Sequence, residues 1–366
     1  MPAMVLVGGA ALAAGTAGAL FVLARERRRL ELPFAPDELH WARTSDGWRL
    51  PMGRYLPKVA RVSKEPVILC HGMGANRYNL DLNERHSVAR FLAARGFECW
   101  VVELRGSGIT HRESSGRRHY RFTFDDYITG DLPALIAKAK EVSATERVLW
   151  VGHSKGGIVM YAYCGLQKRE DVAGVVAIGS PAGFPHFSPL ERSLLSRGHH
   201  LLLHDGVYTE PFLRWLAPLG GRGLLPMHYM ARQENMDPEM AGWAMANLLG
   251  NVSRAVLVQF ARWIRTGELT SFDGSIDYRK GLEKSEVPFL LIAGSRDLLV
   301  APAAVELARD AMVAARARGA VEYVIAGRET GFREDYGHGD LVLGRHAPDE
   351  IFPRIEAWLR ARATPP

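Results

Sequence analysis

A serine between glycines, at the junction of two apolar runs, has the setting of a nucleophile. Residues 147–163 read "RVLWVGHSKGGIVMYAY". Val148–Val151 is too short and too rich in β-branched and aromatic residues for a helix, whereas the run after Gly157 keeps its apolar residues at helical spacing. A strand must therefore turn into a helix within about three residues. Such a turn forces its central residue, Ser154, into strained backbone geometry, and Gly152, Gly156 and Gly157 let strand and helix pass closely. The bland reading is a glycine-rich helix start at which the serine is only an N-cap.

A hydroxyl is hardly ionised at neutral pH, so Ser154 needs a base, and the base needs a group to orient it. In an open α/β sheet these groups lie beyond the carboxyl ends of later strands. The strand-like "PFLLIAG" runs into "SRDLLVAP", which puts Asp297 in a loop, and "VEYVIAG" runs into "RETGFREDYGHGD", which carries His338. The order Ser154, Asp297, His338 is the one expected of a sheet of this kind. Asp340, Asp335 and Glu334 are alternative carboxylates, and Asp297 also suits a plain turn. A tetrahedral oxyanion further requires two aimed backbone N–H groups. "LCHGMGANRYNLD", at the end of another strand, offers that of Met73, and the helix start beside the nucleophile offers that of Lys155.

The elements that must hold these groups alternate. "ELHWARTSDGWRLPMGRYLP" predicts a hairpin around Ser45-Asp46-Gly47. "EPVILCHG" and "FECWVVELRG" are short apolar strands separated by a helical pattern that ends at Gly96. "DLPALIAKAKEV" predicts a helix with Asp131 near its cap and Pro133 in its first turn. Further strands at 172–180, 287–295 and 321–327, a helix at about 302–318 and a C-terminal helix complete a doubly wound, mainly parallel sheet. The interval 181–283 breaks the rhythm: rich in Leu, Trp, Met and Pro, it reads as an inserted helical cap. The expected division is 1–29 anchor and basic flank, 30–180 and 284–366 core, and 181–283 cap. "ELRGSG" at 103–108 fits either a buttress of the site's rim or a strand-ending turn, and Asp125 and Asp126 read as surface or capping groups.

With these segments in view, residues 38–362 resemble the α/β-hydrolase superfamily. Within it the chain is similar to the acid-lipase branch, the gastric and lysosomal lipases and their bacterial relatives. The matching segments are "HGMGANRYNL", "SVARFLAARGFECWVVELRGSG", "FTFDDYITGDLPALI", "VGHSKGG" and "YGHGDLVLGRHAPDEIFPRI". The resemblance implies ester hydrolysis through an acyl-enzyme, a lid over an apolar acyl pocket, and Met73 and Lys155 as oxyanion-hole residues. Lys155 stands where that branch usually has Gln, the stretch from Asp297 to His338 looks longer, and the cap matches no motif of the branch. An acyltransferase with the same triad is the alternative, since some polyester synthases share the pattern around the acid and histidine, though with a Cys nucleophile. A non-catalytic scaffold that keeps the fold is a third reading.

The chain has 366 residues, 47% hydrophobic and 23% charged, with a formal net charge of +6, which suits one large globular domain carrying an insertion. Apart from "RERRR" at 25–29 the positive residues are scattered, and no nucleic-acid motif occurs. Cys70, Cys99 and Cys164 sit in apolar runs, read as buried free thiols, and show no metal-ligand spacing. No cofactor or metal is called for; the expected partner is a lipid or small-molecule ester. Residues 4–24 carry no charge and, as a helix, would reach about 30 Å, enough to cross a hydrocarbon core. They read as a single membrane span, and the arginines that follow place the body in the cytoplasm. Export after signal cleavage is the alternative.

Overall fold

The computed structural model describes residues 22, 24–112, 120–166, 169–188, 190–193, 206, 207, 217, 229–314 and 320–366. Residues 24–30 are helical. All but two residues of the expected span at 4–24 lie outside the described residues, as do His199, His200 and His204 of the expected cap. Among the described residues no helix is long and apolar enough to cross a membrane.

The hairpin forms as its pattern predicts. β1 (Glu38–Arg43) pairs antiparallel with β2 (Trp48–Tyr55) across a turn in which Gly47 takes φ 88°, a left-handed value that glycine adopts freely. β3 (Val67–Cys70), β4 (Cys99–Val102), β5 (Val148–His153), β6 (Val172–Ile178) and β7 (Phe289–Gly294) are buried along their whole lengths. That is why they read as unbroken apolar runs: a parallel sheet covered on both faces has no solvent side to alternate with. β8 (Val321–Ala326) closes the parallel edge beside β7. The order is β1-β2-β4-β3-β5-β6-β7-β8, with a two-residue strand at His111–Arg112 beside β2.

The chain leaves β3 toward β4 on one side and later returns to β5 on the other. This reversal opens a crevice beyond the carboxyl ends of β3 and β5, where open α/β sheets place their ligands.

Among the described residues after 30, the α-helices of five residues or more are α1 (Val88–Ala93), α2 (Leu132–Ser143), α3 (Lys155–Leu166), α4 (Pro238–Asn247), α5 (Arg254–Thr266), α6 (Tyr278–Leu282), α7 (Pro302–Ala314) and α8 (Phe352–Arg360). Ser87 caps α1, its hydroxyl accepting from the Arg90 N–H. Asp131 stands at the N-cap position of α2, as expected, but its side chain makes no capping bond. A π-helical turn at Tyr127–Asp131 runs into that helix, and the Asp131 carboxylate is engaged by the Arg105 N–H and Nε instead. The segment expected to be one C-terminal helix divides into a turn at Ala347–Glu350 and α8, with Pro353 in the first turn of the latter. Between β6 and β7 the chain supplies α4, α5 and α6, and also a two-residue strand pair, Gly206–Val207 with Val252–Ser253, that no periodicity had signalled.

Candidate active site

β5 ends at His153 and α3 begins at Lys155, so one residue makes the turn. Ser154 makes it at φ 54°, a left-handed conformation that costs a non-glycine residue on the order of 1 kcal/mol or more. Close approach explains its neighbours. A Cβ on Gly152 would lie 2.1 Å from the Gly156 carbonyl oxygen, and one on Gly156 would lie 2.3 Å from that of Cys70. Any side chain at either position would push α3 off the sheet.

His338 and Asp297 meet. The His338 Nδ1 lies 2.8 Å from Asp297 Oδ2, and both side chains are buried. Oδ1 of the same carboxylate accepts from the N–H groups of Leu299 at 2.9 Å and Val300 at 2.7 Å, which holds it in one orientation. A carboxylate only accepts, so the Nδ1 carries a proton, and in the neutral ring Nε2 has the lone pair. An imidazole held in this way can take a proton from a hydroxyl.

The alternative carboxylates are committed elsewhere. Asp340 accepts from the Gly337 N–H at 2.8 Å, the Arg232 N–H at 3.0 Å and Asn235 Nδ2 at 2.7 Å. It thereby pins the segment at 232–235 to the histidine loop. Asp335 accepts from Ser295 Oγ and the Arg328 N–H, and Glu334 pairs with Arg328.

Opposite lies the loop after β3, and its peptide geometry is determined by buried side chains. The Leu104 N–H donates to His71 Nε2 at 3.2 Å, so the proton sits on Nδ1, which donates to the Gly72 carbonyl at 2.8 Å. In a planar trans peptide the carbonyl of one residue and the N–H of the next point in opposite directions. Holding the Gly72 carbonyl therefore aims the Met73 N–H. Burial, and secondarily the charge of Lys155, pushes the His71 pKa well below its usual value, which preserves this neutral tautomer. Asn79 Oδ1 accepts from the Gly72 N–H at 2.9 Å and lies 3.0 Å from His153 Nδ1. His153 Nε2 in turn lies 3.1 Å from the His338 carbonyl oxygen. Burial, with His338 adjacent, lowers the His153 pKa to about 3, and the neutral ring, with one N–H, donates to one of these two oxygens and packs against the other. Its position inside "GHSKGG" was the only sequence signal for it; Asn79 offered none.

The Lys155 backbone is the first residue of α3, so its N–H has no intrahelical acceptor. Its side chain is buried, with Nζ 4.5 Å from the centre of the Tyr127 ring. Burial pulls its pKa down to about 8, against the opposing pull of Cys70 and Asp131.

Ser154, Met73 and His338 share one cavity of about 820 Å³. Its walls are apolar and include Met230, Met236, Ala244, Met245, Leu248 and Leu299. Such a space suits a hydrocarbon chain, and four methionines among its lining residues make it adaptable in shape.

The model of the α/β-hydrolase fold matches residues 65–318. The chain belongs to the α/β-hydrolase family. This hydrolase is 23% identical to Lipase lipl-3 of Caenorhabditis elegans, with 87% of each chain covered. It is 24% identical to human Lipase member K, over 87% of its own length and 86% of that protein. Its fold is similar to that of a thermophilic esterase from Thermogutta terrifontis, at TM-score 0.59 and 17% identity, covering 89% of this chain and 100% of the other. The expectation of a lipase-like α/β hydrolase, an ester hydrolase by class, is borne out; relatives of this kind favour hydrolysis over acyl transfer.

In this hydrolase "ELRGSG" is a buttress. Glu103, buried, accepts from Arg77 Nη1 at 2.7 Å and from the Ile109 N–H at 2.8 Å, tying the loop after β4 to the one after β3. Asp125, read as a surface or capping group, holds the interval 181–283 to the core: it accepts from Gln259 Nε2, the Tyr278 hydroxyl and the Phe272 N–H. Asp126 forms a capping box with Thr123. The three cysteines are free and buried, as expected.

Proposed function

We propose that this chain is a serine hydrolase that cleaves carboxylic esters of apolar acids through an acyl-enzyme on Ser154. One observation carries the reading: an imidazole oriented by a buried carboxylate opens, with the strained serine, onto an apolar cavity of about 820 Å³.

His338 Nε2 takes the proton of Ser154 as Oγ attacks the ester carbonyl carbon, and Asp297 stabilises the imidazolium that results. The carbonyl oxygen becomes an oxyanion that accepts from the N–H groups of Met73 and Lys155; losing one such donor costs about 3 kcal/mol of transition-state stabilisation. When the intermediate collapses, the C–O bond to the alcohol breaks and His338 gives its proton to the leaving oxygen. Water then attacks the acyl-enzyme, losing its proton to His338, and the acid departs as Ser154 is reprotonated. Asn79 holds the Gly72 N–H, and His153 packs between the two loops throughout.

The uncharged stretch at 4–24 and the arginines after it support a tether to a membrane, with the catalytic body on the cytoplasmic side. Protease treatment of sealed vesicles tests the orientation: digestion from outside would reverse it. The test of the chemistry is labelling of the full chain by a fluorophosphonate. Wild type should carry the adduct on the peptide containing Ser154, and Ser154→Ala should neither label nor hydrolyse p-nitrophenyl esters. Equal labelling of the two proteins would discard the assignment.

A further inference from the structure

Residues 30–34 form a strap that ties the N-terminal helix to both walls of the cavity. Asn247, the buried last residue of α4, holds it from one side: its Oδ1 accepts from the Leu32 N–H at 2.9 Å and its Nδ2 donates to the Leu30 carbonyl at 2.7 Å. The same Nδ2 also reaches the Trp243 carbonyl at 2.8 Å, one turn back in the helix. Tyr78 holds the strap from the other side, its hydroxyl donating to the Leu32 carbonyl at 2.7 Å. The Phe34 ring meets Tyr78 edge-on at 6.3 Å and lies under the Arg77 guanidinium at 4.8 Å.

Both grips lead to the loop that carries Met73. The Asn247 carbonyl accepts from Asn76 Nδ2 at 2.7 Å, and the Leu248 carbonyl accepts from the Asn76 N–H at 3.1 Å. The Gly250 N–H donates to the Gly74 carbonyl at 2.8 Å, and Ala75 pairs with Leu249 as an isolated bridge. Tyr78 immediately precedes Asn79, which holds the Gly72 N–H. The end of α4 and the loop after β3 are thus one stitched unit, with the strap clipped across it. A carboxamide can accept from one strap N–H and donate to one strap carbonyl at once, which suits asparagine at 247.

We propose that Asn247 is a positioning residue: it registers the strap against the cavity wall and the Met73 loop, so that the strap sets turnover at Ser154. The inference rests on the reading of Met73 as an oxyanion donor. A donor displaced by a fraction of an ångström loses much of its effect on the transition state, while binding of a flexible acyl chain changes little.

The experiment uses the full chain in detergent micelles, with kcat and KM measured on p-nitrophenyl butyrate and thermal midpoints recorded in parallel. Asn247→Ala should lower kcat about tenfold or more, and Tyr78→Phe, which keeps the ring and removes only the hydroxyl, about threefold, each with KM within about twofold of wild type. The double variant should be no more than about twofold worse than Asn247→Ala, because both substitutions release the same strap. Variants with lower midpoints but a kcat within twofold of wild type would overturn the proposal, and so would losses that multiply in the double variant. Should Asn247→Ala fail to fold, Tyr78→Phe decides alone, and an unchanged kcat rejects the inference. Failure of the underlying reading would look different: a wild type that neither labels with fluorophosphonate nor turns over.

Discussion

Asp297 and His338, 41 residues apart, meet at 2.8 Å in the loops that follow neighbouring parallel strands, β7 and β8. The carboxylate has two tasks, since its other oxygen anchors the N–H groups of Leu299 and Val300. Asp297→Asn separates them. Its amide oxygen can keep the two backbone bonds, whereas its NH2 group would face the ring and force the wrong tautomer. kcat should fall on the order of 10⁴-fold while the thermal midpoint moves little. A variant that retains a tenth of wild-type kcat would show that another group orients the base.

Lys155 makes a prediction about stability and pH. Its folded pKa, about 8, lies below that of the unfolded chain, so the folded state binds this proton more weakly. The penalty is fully present below pH 8, on the order of 3 kcal/mol, and is relieved as the pH rises from 8 toward the unfolded value. Lys155→Met should therefore melt higher than wild type at pH 7, with the gap closing toward pH 10. A gap that stays constant across that window would contradict the argument.

Asp340 is itself fully buried and accepts from three donors, two of them buried. Asp340→Ala removes the acceptor of the Gly337 and Arg232 N–H groups and leaves Asn235 Nδ2 only the Asp335 carbonyl, and the fold should lose about 3 kcal/mol. Because Arg232 adjoins the cavity residues Met230 and Ala231, kcat/KM should also fall at least tenfold, read on p-nitrophenyl butyrate. Denaturant titration checks the first expectation. Wild-type stability would show that these hydrogen bonds contribute nothing to the fold.

Ala244 lines the apolar cavity and is nearly fully buried. Ala244→Trp shortens the space available to an acyl chain. Relative to wild type, hydrolysis of p-nitrophenyl laurate should drop about thirtyfold or more, and that of the butyrate about threefold or less, since each lost methylene contact is worth roughly 1 kcal/mol or more. Equal losses on both esters would place the acyl chain elsewhere.

The legible part of the fold was local. Val148–Val151 meeting "GHSKGG" announced the strand, the turn and the helix because a sharp strand-to-helix passage needs small residues at fixed offsets, and Gly152 and Gly156 prove to stand against backbone oxygens. The hairpin around Gly47 and the buried strands β3 to β7 were equally open to inspection, as turn chemistry and unbroken apolar runs are properties of neighbouring residues. Asp131 stands at the start of its helix as its position suggested, but only the fold brought Arg105 to its carboxylate.

What the sequence by itself determined is which residues occupy the ends of strands, and hence which hydroxyl, carboxylate and imidazole were available to one crevice. Tertiary structure decided among them. It put Asp297 rather than Asp340, Asp335 or Glu334 on the histidine, turned the Lys155 side chain into the interior, and joined Asn79, His153 and Asn247 into the frame around the cavity. The physical reason is that a hydrogen bond is satisfied by whatever partner folding brings within about 3 Å. Periodicity and turn propensity report only on the few residues to either side.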